Sequence, residues 1–297
     1  MHIAIIGLGL IGGSAALAWK KAAARGERPF GELTIAAADT RRETLALARR
    51  IGAADRVTPS AAEAMKDADL VLCAVPVLAI EGVMREFAKS APEGCIFTDA
   101  GSVRASVIAA ARRAMPDRLR RYAPYHPIAG AEKAGLENAS PDLFEGAAGV
   151  LTPLPETDAD AGDTVAALWE CAGLRTVRMT PEAHDRVYAL VSHVPHMIAF
   201  ALMNTAASAP EHDTALRAAG GGFRDTTRIA AADPRVWADI ACGNREAVLD
   251  GIDRFSGELA ALRALVAEGD EAKLERYFAR AAEARRAMAS LLPPKRG

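Results

Sequence analysis

Three consecutive glycines, Gly220, Gly221 and Gly222, run directly into Phe223-Arg224-Asp225-Thr226-Thr227-Arg228, inside a half of the chain that otherwise reads as alanine-rich helix. Glycine is a poor helix-interior residue and lets backbone come close to another group. Arg224 and Arg228 are four apart, so on a helix they share one face. A guanidinium is the side chain best matched to a carboxylate, because its planar fork can donate two parallel hydrogen bonds. The chain also opens with Gly7-Leu8-Gly9-Leu10-Ile11-Gly12. Together the two patterns point to redox chemistry on a small acid with more than one carboxylate.

The opening motif follows an apolar strand, His2–Ile6, and precedes a helical stretch, which is the context a dinucleotide fingerprint needs. Gly7 would make the turn, Gly9 would admit the pyrophosphate, and Gly12 would pack helix against strand. Leu10 lies in the loop and Ile11 opens the helix, Ile11–Arg25, whose N-terminus faces the phosphates; both are expected to border the cofactor. Asp39 ends the second strand, where a carboxylate binds a ribose 2′-hydroxyl and repels a 2′-phosphate. NAD is therefore favoured, while Arg41 and Arg42 leave room for NADP. Val75-Pro76 and Asp99-Ala100-Gly101-Ser102 close two further strands, and ligands of such sheets sit outside the carboxyl ends of the strands. Ser102 reads either as the cap of a helix starting at Val103 or as a hydroxyl beside the reacting carbon.

A proton acceptor is needed wherever hydride leaves a carbinol carbon. His126, in Tyr125-His126-Pro127-Ile128-Ala129-Gly130, ends another strand, and the following proline holds it extended. Imidazole has the right basicity near neutral pH. On spacing alone a structural histidine is an equally good reading. His193 and His196 lie three apart in Ser192-His193-Val194-Pro195-His196, but no third ligand accompanies them, so no metal site is expected.

The elements that must position these groups fall into two halves. Short apolar runs at His2–Ile6, Leu33–Ala38, Leu70–Val75, Cys95–Asp99, Tyr122–Tyr125, Gly149–Pro153 and Arg175–Met179 alternate with helical stretches, the pattern of a doubly wound, mostly parallel, Rossmann-like α/β sheet. Beyond Thr180 the pattern becomes helical throughout. Over Glu182–Ala206 the apolar residues Val187, Leu190, Val191, Val194, Ile198, Ala201 and Leu202 form a stripe, and Pro195 should kink that helix. Two long helices follow near Glu246–Ala267 and Asp270–Leu292, with Gly269 as the stop between them and Asp270 as a cap. The expected division is a dinucleotide-binding domain over 1–179 and an all-helical substrate and dimerisation domain over 180–297.

The formal net charge of −2 provides no electrostatic footprint for nucleic acid or a membrane surface. Cys73, Cys95, Cys171 and Cys242 are widely spaced and suit a reducing compartment. No segment reads as a signal peptide or a transmembrane span. A cytoplasmic enzyme is expected.

Taken in order, GLGLIGGS, DAGSVR, HPIAGAEKAG, SHVPH and GGGFRDTTRIAAADPRVW give a chain that resembles the prephenate/arogenate (cyclohexadienyl) dehydrogenase family over nearly its whole length. The resemblance implies NAD(P)-dependent oxidative decarboxylation on the route to tyrosine. It implies that His126 accepts a hydrogen bond from the ring hydroxyl with Ser102 beside it, and that Arg228 binds the ring carboxylate. Arg224 would lie near the side-chain end of the substrate, His196 in the same pocket, and Glu132 at its mouth. A homodimer through the helical part is also implied. Arg104 stands where lysine is more common and is expected to face solvent. Ala131 replaces a frequent hydroxyl residue. An enzyme for an amino-substituted prephenate in specialised metabolism, or a silent nucleotide-binding regulator, are the competing readings. A hydroxyacid dehydrogenase fits less well, since no lysine occurs between residues 134 and 272.

Overall fold

The computed structural model describes residues 1–130 and 134–291. Its first half alternates strand and helix: β1 His2–Ile6, α1 Leu10–Ala24, β2 Thr34–Ala38, α2 Arg42–Arg50, β3 Arg56–Thr58, α3 Ala61–Met65, β4 Leu70–Cys73, α4 Val77–Ser90, β5 Ile96–Asp99 and α5 Ala105–Ala114. The five strands are parallel, in the order β3-β2-β1-β4-β5. Chain direction across the sheet reverses between β1 and β4, and the crevice at such a switch point is where ligands of these sheets bind. Both faces are covered. Ile3 and Ile5 of β1 join a core with Trp19 of α1, whereas Ala4 and Ile6 join a second core with Met84 and Phe87 of α4. This two-residue alternation into two apolar layers explains why the strands read as unbroken apolar runs.

The chain then forms β6 Tyr125–Pro127, β7 Ala148–Leu151, α6 Ala159–Cys171 and β8 Arg175–Arg178. These strands make a separate three-stranded sheet in which β7 is antiparallel to β6 and parallel to β8. An isolated bridge from Phe97 to Tyr122 leads from β5 toward it. The single sheet expected from the sequence is thus two, and β3 was not anticipated, because Arg56-Val57-Thr58 is too short and polar to show as an apolar run.

The second half is helical: α7 Pro181–Tyr188, a π turn at Ala189–His193, α8 Val194–Ser208, α9 His212–Arg217, α10 Gly221–Thr227, a 3₁₀ turn at Arg228–Ala231, α11 Pro234–Gly243, α12 Arg245–Glu268 and α13 Glu271–Leu291. Thr180 caps α7 by accepting from the Ala183 N–H, with Pro181 in the first turn. At Pro195 the chain stays helical, and the adjustment appears one turn earlier as the π turn.

The contacts divide the chain into two compact units, Met1–Arg245 and Glu246–Gly297. Helices α7 to α11 therefore belong with the sheets; Ile240 of α11 is part of the core against α4 and α5, and Trp237 packs on it. In the second unit, Tyr277 of α13 donates to Glu258 of α12 at 3.1 Å, Gly269 has φ +71°, and Asp270 accepts from the Lys273 N–H at 3.1 Å. These last two are the expected stop and cap.

One expectation about Pro181–Ser208 is corrected. This helix is long and apolar enough to cross a membrane by length and composition, with mean hydropathy 1.3, although none was expected. Of its apolar stripe Val194 is buried, whereas Leu190 and Val191 are 66% and 62% exposed; His184, Asp185 and His193 are buried as well. His184 and Asp185 on this helix hydrogen-bond His126 and the backbone at the start of α5.

Candidate active site

Three strand ends build the site. At the first, Gly7 has φ +94°, and a Cβ there would lie 2.6 Å from the Ala74 carbonyl oxygen. A Cβ on Gly12 would lie 2.0 Å from the Gly7 oxygen, while one on Gly9 would meet nothing within 4 Å. The outer glycines are thus required by packing, and the middle one keeps an open approach to the backbone. Leu10 and Ile11 are half-buried, and α1 starts at Leu10 behind Gly9, which provides no side-chain cap. Uncapped N–H groups with a positive helix end suit a pyrophosphate. Asp39 accepts from the Leu8 N–H at 3.0 Å and from the Arg41 N–H at 2.9 Å, and its carboxylate also pairs with the Arg41 guanidinium at 3.3 Å. It is fixed beside the glycine loop. Val75 and Pro76, after β4, border the same loop: a Cβ on Gly7 would come within 2.9 Å of the Val75 side chain. This donor set fits a dinucleotide.

The second strand end is β5. Asp99 is fully buried and accepts from the Gly101 N–H at 2.8 Å, the Tyr122 hydroxyl at 2.8 Å and the Arg104 guanidinium at 2.8 and 3.2 Å. Arg104 also donates to the Gly101 carbonyl. Burial works against the charged guanidinium, but Asp99 outweighs it and holds the pKa above the ordinary value. Arg104 is therefore not solvent-facing, as the sequence suggested; it is a fully buried ion that ties the loop 99–104 into one shape. Ser102 sits half-buried on that loop. It does not cap the next helix, which begins two residues later than expected, at Ala105. Asp185 of α7 does so instead, accepting from the Arg104 and Ala105 N–H groups, each at 2.8 Å.

The third strand end is β6, with His126. Its Nδ1 is 2.8 Å from His184 Nε2, and His184 Nδ1 is 2.9 Å from Asp185 Oδ1. Tyr188 packs edge-on to His126 at 5.1 Å between ring centroids and against His184 at 4.6 Å. Burial first, then the electrostatic influence of His184, Arg104 and His193, push the His126 pKa well below 6.5. His126 is a neutral acceptor at physiological pH.

The second histidine pair lies further along the same helical run. His193 is buried and hydrogen-bonded through Nδ1 to Asn244 at 3.1 Å. His196 donates from Nδ1 to the Ser192 carbonyl at 2.9 Å and stacks on Trp237 with ring centroids 3.5 Å apart. Its pKa is lowered by burial and also by Arg228, which places the Arg228 charge in its neighbourhood. Arg224 is exposed on α10 and donates to the Ala219 carbonyl at 3.0 Å. Glu132 and Ala131 lie outside the described residues. His184, Asp185, Asp99, Tyr188 and Trp237 were missed by the sequence reading. The adjacent pair His184-Asp185, three residues into a helix already marked by Pro181, was the one available signal.

Burial pushes the His193 pKa down to about 4. A histidine with a depressed folded pKa contributes stability that is complete above the unfolded value near 6.5 and is lost as pH falls toward the folded value, because only the unfolded chain binds the proton in that window. The span is worth roughly 3 kcal/mol for this one group. Urea unfolding should therefore weaken steadily from pH 6.5 to 4, and His193→Gln should flatten that slope.

A doubly wound sheet with an open glycine loop, an anchored carboxylate at the end of β2 and a neutral imidazole at a neighbouring strand end define a nucleotide-binding oxidoreductase. Residues 23–178 match the prephenate dehydrogenase nucleotide-binding domain, and residues 180–280 match the prephenate dehydrogenase dimerization domain. The chain belongs to the prephenate dehydrogenase family. It is 37% identical to a cyclohexadienyl dehydrogenase of Zymomonas mobilis, with 97% of this chain and 96% of that protein aligned. It is 36% identical to the prephenate dehydrogenase of Bacillus subtilis, over 93% of this chain and 73% of the relative. Among solved structures, Aquifex aeolicus prephenate dehydrogenase in complex with hydroxyphenyl propionate and NAD+ is similar with a TM-score of 0.89 and 33% identity, covering 97% of this chain and 98% of the other. Synechocystis arogenate dehydrogenase is similar with a TM-score of 0.81 at 25% identity, covering 97% of this chain and all of that one.

Proposed function

We propose that this enzyme oxidatively decarboxylates prephenate, and arogenate as a second substrate, with NAD as the oxidant. The observation that carries the reading is His126: a neutral imidazole at a strand end, with Nδ1 engaged by His184 and Nε2 without a partner among the described residues. Gly7, Gly9, Leu10, Ile11, Gly12, Asp39, Val75 and Pro76 would hold the dinucleotide, and Asp39 favours NAD over NADP. When bound, the nicotinamide supplies the hydride acceptor. His126 Nε2 takes the proton of the ring hydroxyl, so that the carbinol carbon can become a carbonyl carbon. Loss of the ring carboxylate as carbon dioxide then leaves an aromatic ring bearing an oxyanion. His126 returns the proton to that oxygen, so the chemistry needs no net proton from solvent. Ser102 would orient the hydroxyl, and the buried Asp99–Arg104 pair fixes the loop that carries it.

A substrate with carboxylates at both ends needs separated cationic groups. Arg228 would take the ring carboxylate, Arg224 and His196 the remainder of the pocket, and Glu132 its mouth. Too tight a grip on a departing carboxylate would oppose its loss, so Arg228 is expected to act on binding. Arg228→Ala should raise KM about 10- to 100-fold, the loss of one charge-assisted contact, and leave kcat within a few-fold. Steady-state kinetics in which kcat collapses at unchanged KM would reassign the residue to the chemical step.

The family matches over residues 23–178 and 180–280 support a dinucleotide part over 1–179 and a helical part over 180–297. The exposed Leu190 and Val191 on the α7–α8 run, and Phe255, Leu259 and Phe278 on α12 and α13, support a homodimer through the helical part. A cytoplasmic location fits a biosynthetic enzyme of this kind. The deciding experiment is NADH formation with purified enzyme, prephenate and arogenate being supplied separately. Absence of NADH with both ends the reading.

A further inference from the structure

Resting on that reading, we propose that His184 and Asp185 are positioning residues for the reaction: they fix the His126 tautomer, and they share the proton that His126 takes up. The argument is one of donors and acceptors. Asp185 already accepts two backbone N–H groups at the N-terminus of α5, an environment that keeps a carboxylate ionised. An ionised Asp185 can only accept, so the 2.9 Å contact requires His184 Nδ1 to carry its hydrogen. Neutral His184 then presents Nε2 as a lone pair. The 2.8 Å contact to His126 in turn requires a hydrogen on His126 Nδ1. This leaves His126 Nε2 as the bare nitrogen, the form able to accept a hydroxyl proton. A histidine without such a chain would distribute its hydrogen between both nitrogens, and one tautomer would be inactive.

The same chain disperses charge during turnover. When Nε2 of His126 gains the hydroxyl proton, its Nδ1 proton can shift along the hydrogen bond to His184 Nε2, forming an N–H bond there and breaking one on His126. The positive charge then rests beside Asp185. When the phenolic oxyanion has formed, the shift reverses and Nε2 gives its proton back. No oxidant or external acid is consumed. The groups facing this pair are Arg104 and Asp99 from the β5 loop, His193 and Tyr188 from its own helical run, and Asp185. Arg104 and His193 oppose a positive charge here, and the two carboxylates favour it.

The test compares His184→Leu, which removes both functions, with His184→Gln, whose amide oxygen can still accept from His126 Nδ1 but cannot hold the proton. For His184→Leu kcat should fall about 100-fold and for His184→Gln about 10-fold, with KM changed less than about three-fold, the pattern of a lost orienting partner. The acid limb of kcat/KM should shift in both variants, because His126 loses the hydrogen-bonded neighbour that links it to Asp185. Wild-type kcat and an unmoved acid limb in His184→Leu would overturn the proposal. Nitrogen-15 NMR of histidine-labelled wild-type protein supplies an arm that needs no turnover: His126 should be protonated at Nδ1 and bare at Nε2. The opposite tautomer refutes the proposal even in an active enzyme. A wild type that forms no NADH defeats the functional reading instead, and the NMR arm still decides the geometry.

Discussion

Replacing His126 by Asn is expected to lower kcat by about 10²- to 10⁴-fold, the usual contribution of a positioned general base, with KM changed only a few-fold. Asparagine keeps a polar group of similar reach and can still hydrogen-bond a substrate hydroxyl, so the bound ground state is largely preserved. It cannot take the proton, so the developing carbonyl must lose that proton to water. The pH profile sharpens the expectation. The acceptor is neutral imidazole, so activity should fall only as pH drops through the lowered His126 pKa, well below 6.5, and should be level across neutrality. In His126→Asn that acid limb should disappear along with most of the rate. A variant that instead loses affinity while retaining kcat would show that His126 binds substrate and that the base lies elsewhere.

How much of this was written locally in the chain differs between its parts. The strands β1, β2, β4 and β5 were legible because a sheet covered on both faces must be apolar at every position, and such runs are unmistakable. The glycine loop was legible because its steric demands fall within six residues. What the sequence did not disclose are the pairings made across long separations. Arg104 reads as a surface cation until Asp99 and Tyr122 are folded around it. Ser102 reads as a helix cap because the true cap, Asp185, is about eighty residues away in sequence. The helix Pro181–Ser208 shows the same failure in another form. Its apolar stripe was legible, but the polar contacts that seat it were not, since His184 and Asp185 bond to His126 and to the start of α5 across long separations. Hydropathy periodicity reports which face avoids water; it does not report which of two surfaces that face meets.

The buried pair beneath Ser102 leads to the largest expected effect on stability. Asp99 and Arg104 are both without solvent exposure, and four donor groups converge on the one carboxylate. Breaking such a pair leaves an uncompensated buried charge, which costs about 3–5 kcal/mol. Asp99→Ala should therefore lower the thermal midpoint by roughly 6–20 °C, given the usual 2–4 °C per kcal/mol for a domain of this size. Arg104→Lys keeps the charge but loses the planar two-point contact, and should cost distinctly less. Arg104→Ala combined with Asp99→Ala should cost less than the two single changes added together, because the second removal takes away the orphaned partner. Calorimetry on the parent and these four variants measures this directly. If Asp99→Ala melts within 2 °C of the parent, the loop 99–104 is held by other contacts, and the rigid platform assigned to Ser102 is lost with it.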